Sequence, residues 1–325
     1  MLTTRLTERF NLEHPIIGAP MGLVSGGRLA AAVSAAGALG MVGGGYGDGD
    51  WLREQFDAAG NQPIGCGFIT WSLKRRPELL GLALERAPRA MMLSFGNPAP
   101  FVVQVKAAGV PLICQVQTVR DAAHVLDLGA DVIVAQGTEA GGHGERRATM
   151  TLVPEIADLV AKRSPETLVV AAGGIADGRG LAAALALGAD GVLVGTRLWA
   201  SEEAIGNPRL KAAAVTRTGD DTLRSRVIDM VRGITGWPER YSLRTLTSRT
   251  TERWHGRESE LAAVAAKEAR AYAEAVAAGD PEVVSSLVGE AIGLIDAVEP
   301  AGAVIARMAA EAEAILRRAP SWIRA

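Results

Sequence analysis

The sequence predicts an α/β protein: a (β/α)8 barrel with a mainly helical cap inserted after strand 8. Three observations predict it. One phrase recurs along the chain, an Ala/Leu-rich helical stretch, a Gly, then a short continuously apolar run. Two glycine-rich loops, residues 137–144 and 171–178, each follow such a run, where a buried parallel strand ends and a helix begins. After the eighth run the rhythm stops.

Taken in order, the strands fall near Ile16 to Gly18, Leu39 to Gly43, Ile64 to Ile69, Met91 to Ser94, Leu112 to Val116, Val132 to Ala135, Leu168 to Ala172 and Gly191 to Val194. Four are preceded by the same helix ending: Ala36-Gly37-Ala38, Ala108-Gly109-Val110, Leu128-Gly129-Ala130 and Leu187-Gly188-Ala189. Here Gly serves as a C-cap at positive φ, a conformation that costs other residues steric strain. The runs that follow are too uniformly apolar to present a wet face. Repeated units of this kind match a closed TIM barrel better than an open sheet.

From about Asn207 to Pro281 the sequence is charged and punctuated by Trp237 and Trp254, with a helical stretch near Glu258 to Ala278. An insertion after a barrel strand emerges on the catalytic face, so this segment is expected to cover the site. The expected division is a barrel of residues 1–206 and 285–325 and a cap of residues 207–284. One of the two tryptophans is expected to face the cavity, with a plain cap-to-barrel anchor as the equal alternative. The last helix, Ala301 to Arg318, is amphipathic and is expected to close the barrel.

Composition narrows the function. At 325 residues, with 48% hydrophobic residues and a formal charge of −2, the chain can fill a large core and offers nucleic acid no basic stripe. The first ten residues include an early acid and no apolar run long enough for a signal peptide or membrane span, so the expected location is the cytoplasm. Only Cys66 and Cys114 occur, each inside an apolar strand, which predicts reduced core thiols and no metal site.

Backbone N–H groups freed by Gly at the ends of the seventh and eighth strands can approach a phosphate closely. The candidates are Gly173, Gly174 and Gly195; tight βα turns are the competing explanation for the same glycines. His143, in Gly141-Gly142-His143-Gly144, is the candidate catalytic residue, because flanking glycines suggest a flexible loop that presents the ring to a cofactor. An imidazole there can act as a general base, or hydrogen-bond an anionic substrate as an imidazolium.

Four motifs in order, Ile16-Ile17-Gly18-Ala19-Pro20-Met21-Gly22, Glu139-Ala140-Gly141-Gly142-His143, Gly173-Gly174-Ile175 and Gly195-Thr196-Arg197, resemble the nitronate monooxygenase family. The resemblance spans the whole barrel. It implies non-covalent FMN and oxidation of alkyl nitronates by O2 to carbonyl compounds and nitrite. It also implies that Ala19, Pro20 and Met21 line the isoalloxazine, that Gln115 and Gln136 reach its polar edge, that Ala172, Gly173, Gly174, Gly195 and Thr196 hold the phosphate through backbone N–H groups and a hydroxyl, that Ala140 adjoins the cofactor and that His143 is the active-site imidazole. The chain departs from the pattern at Gln115, where some relatives have Lys, and at Gly67-Phe68, where a polar residue is usual. Flavin-dependent enoyl-acyl-carrier-protein reductases share a similar Glu-Ala-Gly-Gly-His loop, so the alternatives are NAD(P)H-dependent reduction of an enoyl thioester and a related reaction on a coenzyme A thioester. A small-molecule substrate is expected, with no nucleic-acid or membrane partner; a homodimer is an open expectation.

Overall fold

The computed structural model describes residues 2–323; the outer limits of the expected barrel, residues 1 and 325, lie outside them. The strands are β1 (Ile16–Gly18), β2 (Met41–Gly43), β3 (Gly65–Ile69), β4 (Met91–Ser94), β5 (Leu112–Val116), β6 (Val132–Gln136), β7 (Gly142–Gly144), β8 (Leu168–Ala172), β9 (Gly191–Val194), β10 (Thr222–Ser225) and β11 (Ser242–Leu246). Eight of them form one parallel sheet in the order β1-β9-β8-β6-β5-β4-β3-β2. The ring closes through a bridge between Ile17 and Leu39. There Gly18 N–H donates to the Leu39 carbonyl at 2.9 Å and Leu39 N–H to the Ile16 carbonyl at 3.0 Å. This is the expected (β/α)8 barrel.

Strand positions follow the apolar runs closely, with one instructive shortening. The second strand begins at Met41, because Gly40 lies under the helix Gly27–Ala35 and its N–H turns to Ser34 Oγ at 3.1 Å. A Cβ on Gly40 would fall 1.8 Å from the Ala30 carbonyl oxygen. The four helix-ending glycines all take positive φ: Gly37 at 78°, Gly109 at 68°, Gly129 at 73° and Gly188 at 92°. Their role as C-caps is thus observed.

Side chains alternate across the barrel wall. Ile17, Met41, Met92, Ile113, Val134, Val170 and Leu193 pack inside, while Val42, Cys66, Leu93, Cys114, Ile133, Val169 and Val192 face the surrounding helices. Both cysteines are buried and free. At the amino end the helix Arg5–Phe10 inserts Leu6 and Phe10 into the interior cluster. Arg5 fixes that helix through two 2.7 Å hydrogen bonds to Asp190, whose carboxylate also accepts from Val169 N–H.

Beyond β9 the chain holds more than helices. Strands β10 and β11 pair antiparallel, and β11 pairs in turn with β7, so the Gly142-His143-Gly144 loop is a strand of a three-stranded sheet. These two strands read Thr-Leu-Arg-Ser and Ser-Leu-Arg-Thr-Leu, without a regular alternation and too short to stand out among charged neighbours. The helices Arg249–Trp254 and Glu258–Ala278 follow, and Trp254 packs with Val227, Ile228, Leu261 and Tyr272 in a hydrophobic cluster apart from the barrel core. The helix Ala301–Arg318 then buries Ala301, Val304, Ile305, Met308 and Ala312 on one face.

That helix is docked by a close contact at Gly178, whose N–H donates to Glu311 Oε2 at 3.0 Å. A Cβ on Gly178 would lie 2.3 Å from Glu311 Cβ and 2.5 Å from Ala312 N. We expect Gly178→Ala to lower stability by about 1–3 kcal/mol, the usual cost of overpacking. Denaturant titration checks this; an unchanged midpoint would mean that the final helix is not held here.

Candidate active site

All the expected site residues gather at the carboxyl ends of the barrel strands. Immediately after β8 and β9, the backbone N–H groups of Gly173, Gly174, Gly195 and Thr196 donate to no acceptor among the described residues. Gly173, Gly195 and Thr196 are half-buried and Gly174 is exposed; half-buried amides are seldom left without an acceptor, which makes this cluster a ready anion cradle. Gly173 and Gly174 hold φ of 102° and 76°. Gly173 has a second constraint: a Cβ would meet the Gly137 carbonyl at 2.9 Å, so the tight-turn explanation also applies there. Gly195 is different. Its Cβ would meet only Ala19 Cβ at 3.7 Å and Met21 Sδ at 3.9 Å, so no neighbouring protein atom requires glycine there. Thr196 Oγ1 accepts the Gly289 N–H at 2.8 Å and keeps its own proton to donate.

Ala19-Pro20-Met21 crosses the mouth from β1, with Ala19 N–H held by the Val194 carbonyl at 2.9 Å. Gly67 has a physical reason: a Cβ there would lie 2.4 Å from Pro20 Cγ. Phe68 points to the outer core and leaves the mouth to that proline.

Gln115 and Gln136 meet, with Gln115 Nε2 donating to Gln136 Oε1 at 3.0 Å. Gln117, absent from the sequence candidates, donates to the same oxygen at 2.7 Å, and Gln136 Nε2 reaches the His143 carbonyl at 3.2 Å. Strand periodicity could have found it, since Gln117 lies two residues beyond Gln115. Ala140 sits beside Gly173, and its carbonyl accepts from Arg224 at 3.4 Å.

His143 departs from the expected flexible, exposed loop. Pairing of its strand with β11, opposite Leu243, leaves it 7% exposed. Its Nε2 lies 2.8 Å from Oδ2 of Asp229, on the helix Val227–Val231, while Asp229 Oδ1 is buried without a partner. Burial pushes the imidazole pKa below its ordinary 6.5, against the opposing pull of Asp229. A neutral ring that donates Nε2–H to Asp229 leaves Nδ1 as the basic nitrogen, and Nδ1 has no hydrogen bond among the described residues. Asp229 escaped the sequence reading because a lone acid in an apolar cap helix carries no motif.

Trp237 faces the site. Its indole stacks on His143 with centroids 3.3 Å apart and planes at 9°, and its Nε1–H donates to Tyr46 Oη at 3.2 Å. Trp71, Phe95 and Tyr241 surround it at 5.3, 5.2 and 6.0 Å. Phe95 holds φ of 62°, a strained conformation for a bulky residue at the end of a barrel strand. Arg240 ties this segment down by hydrogen bonds to Asp121, on the helix Val119–Asp127, and to Glu145.

This geometry can be set beside known proteins. The family model for nitronate monooxygenase matches residues 3–66 and 77–311. The chain belongs to the nitronate monooxygenase family. Nitronate monooxygenase npaC of Metarhizium robertsii is 34% identical, over 93% of this chain and 91% of that protein. The (3aS,4S,5R,7aS)-5-hydroxy-7a-methyl-1-oxo-octahydro-1H-indene-4-carboxyl-CoA dehydrogenase of Rhodococcus jostii is 34% identical, over 70% of this chain and 64% of that protein. FabK from Thermotoga maritima superposes with a TM-score of 0.86 at 31% identity, covering 99% of this chain and 100% of that one. As a family member the chain is an oxidoreductase enzyme, of a kind that binds flavin and acts on small molecules. No described helix is long and apolar enough to cross a membrane.

The depressed pKa of His143 has a sign that can be checked. The folded ring resists the proton that the unfolded one takes up near 6.5, so His143 costs stability as pH falls below that value. Relative to His143→Gln, the wild type should lose stability between about pH 7 and pH 5. A constant difference across that range in paired thermal melts would contradict the neutral imidazole.

Proposed function

We propose that this enzyme binds FMN and uses O2 to oxidise alkyl nitronates to carbonyl compounds and nitrite, with His143 extending its reach to neutral nitroalkanes. The observation that carries the catalytic part is the buried His143–Asp229 pair with Nδ1 left open. In this reading residues 207–284 are the cap over the site.

The chain's residues fit the cofactor. The open amides of Gly173, Gly174, Gly195 and Thr196 would hold the phosphate, aided by the Thr196 hydroxyl, with Ala172 and Ala140 beside it. Ala19, Pro20 and Met21 would lie along the ring. Gln136 Oε1 already accepts two hydrogen bonds, so Gln115 is the freer of the two amides to meet the ring's polar edge. FMN, when bound, supplies electron transfer from nitronate to O2.

His143 would take the Cα proton of a neutral nitroalkane at Nδ1. Asp229 holds the ring in the tautomer that leaves this nitrogen basic, and its carboxylate stabilises the imidazolium that results. Trp237 and its aromatic neighbours keep water from the transfer. Preformed nitronates have already lost that proton and need only binding and orientation.

The rival reading is a flavoenzyme of thioester chemistry, which the dehydrogenase of Rhodococcus jostii keeps open by its coenzyme A substrate. Anaerobic titration decides: bleaching of the flavin by a nitronate supports the monooxygenase, and rapid bleaching by NADH supports a reductase.

His143→Asn should reduce turnover of neutral nitroalkanes by about 10²- to 10⁴-fold, the usual loss of a general base, and turnover of preformed nitronates much less. Equal, small losses on both substrate forms, from initial rates, would return His143 to a structural role. Gly195→Asp should leave the fold intact and expel FMN, since a carboxylate would occupy the open space and repel the phosphate. Retention of stoichiometric flavin in the purified variant would refute the phosphate cradle.

A further inference from the structure

Within the aromatic group around the imidazole, His143 and Tyr241 are buried while Tyr46, Trp71 and Trp237 are half-buried, so the group meets solvent on the side of those three rings. Two guanidinium groups stand there. Arg75, in the run Lys74-Arg75-Arg76 that follows β3, is exposed and lies over the Trp71 ring at 4.9 Å. It also packs on the segment that carries Trp237, since a Cβ on Gly236 would fall 2.3 Å from Arg75 Nη2 and 3.2 Å from its Cζ. Arg232, likewise exposed, ends the helix Val227–Val231 three positions after Asp229 and just before Gly233, whose φ of 65° turns the chain toward Trp237. Its charge is felt inside: it opposes protonation of His143 and favours ionisation of Tyr46.

Neither cation is paired with an acid among the described residues. The adjacent Arg76 is neutralised by Glu78, and on other faces Arg53 pairs with Asp50 and Arg86 with Asp57. The carboxylate on Arg232's own helix, Asp229, is turned to His143, whose Nε2 lies 2.8 Å from its Oδ2. An anion that approaches this side of the molecule therefore meets a positive field, of the kind that raises the local concentration of an oppositely charged ligand and speeds its arrival. A nitronate carries a full negative charge. Its parent nitroalkane has the same carbon skeleton and no net charge, so the field acts on one form and not on the other.

We propose that Arg75 and Arg232 make the side of the site beside Tyr46, Trp71 and Trp237 an entrance selective for anions, which draws in the nitronate ahead of its neutral parent. The two arginines are thereby specificity residues that act before chemistry, on capture of the substrate. This assignment rests on the monooxygenase reading and adds to it the groups that choose between the two protonation forms of the substrate. It also gives a use to the basic run at residues 74–76, which no hydrogen-bonded partner of Arg75 accounts for.

The test compares a preformed nitronate with its neutral parent on the flavin-loaded protein, by initial rates in low and high salt. For the wild type, nitronate kcat/KM should fall about threefold or more between about 20 and 200 mM salt, as counterions screen the field, while the neutral substrate responds little. In the Arg75→Gln, Arg232→Gln double variant, nitronate kcat/KM at low salt should drop about fivefold and lose most of its salt dependence, with kcat and the neutral substrate's rates within about twofold. Arg75→Lys keeps the charge without the planar group on Trp71. It should retain the salt dependence, which separates charge from packing. Equal losses on both substrate forms would overturn the proposal, as would an unaltered salt dependence in the double variant. Nitrate, an inert planar anion, supplies a reading without turnover: its dissociation constant, followed by the flavin spectrum at low salt, should rise about fivefold in the double variant. No rise, or no binding of nitrate to the wild type, overturns the entrance. If the wild type does not oxidise nitronates, the monooxygenase reading fails by itself, and the nitrate measurement alone decides on the two arginines.

Discussion

The pairing of β7 with β11 is the contact on which the site depends. Three residues between β6 and the next barrel helix leave the barrel's own geometry and join an antiparallel sheet with β11 and β10. That pairing turns a glycine-flanked loop into a strand, fixes the direction of His143 and brings the helix that carries Asp229 within hydrogen-bond reach. The barrel alone would provide an imidazole on a pliable segment. With β11 beside it, the same imidazole acquires a fixed orientation, a dry setting and an acidic partner.

Two arginines brace the loop that leads into this strand. Arg224 and Arg244 are direct cross-strand partners on β10 and β11, an arrangement that like charges disfavour. They are held by the loop they grip: both donate to the Thr138 carbonyl at 2.9 Å, and Arg244 pairs with Glu290 at 2.8 Å. Burial, together with Arg244, lowers the pKa of Arg224 to about 10, which still leaves it charged at neutral pH. The Glu139 to Gly142 turn is thereby clamped from above by guanidinium groups. From below, Glu139 accepts from Thr149 N–H and Oγ1 at 2.9–3.1 Å, so the segment beside the amide cradle has little freedom to drift.

The barrel was legible because its signals are local and repeated. A Gly at a helix end and a continuous apolar run are decided within a dozen residues, and Met91–Ser94, Leu112–Val116 and Leu168–Ala172 begin and end where those runs do. The glycines of the amide cradle were legible for the same reason. His143 was visible from its neighbours, but its environment was not, because stacking on Trp237 and contact with Asp229 come from residues 86 or more positions away. Tyr46, Trp71 and Phe95 each follow a different strand and have meaning only once the ring has closed. Gln117 was within reach of strand periodicity alone.

Closure of that ring has a consequence for the nascent chain. Strand β1 pairs with β9, Ile16 opposite Val192, so nearly two hundred residues must be made before the first strand can find this neighbour. Until then one side of β1 is an unpaired edge, and Leu6 and Phe10 lack the finished interior that they later stopper. Long-range pairing of this kind folds slowly and is exposed to aggregation while it waits. During synthesis the amino-terminal helix is thus a hydrophobic element without a home, and a chaperone that shelters it until residue 194 has emerged would shorten the hazardous interval.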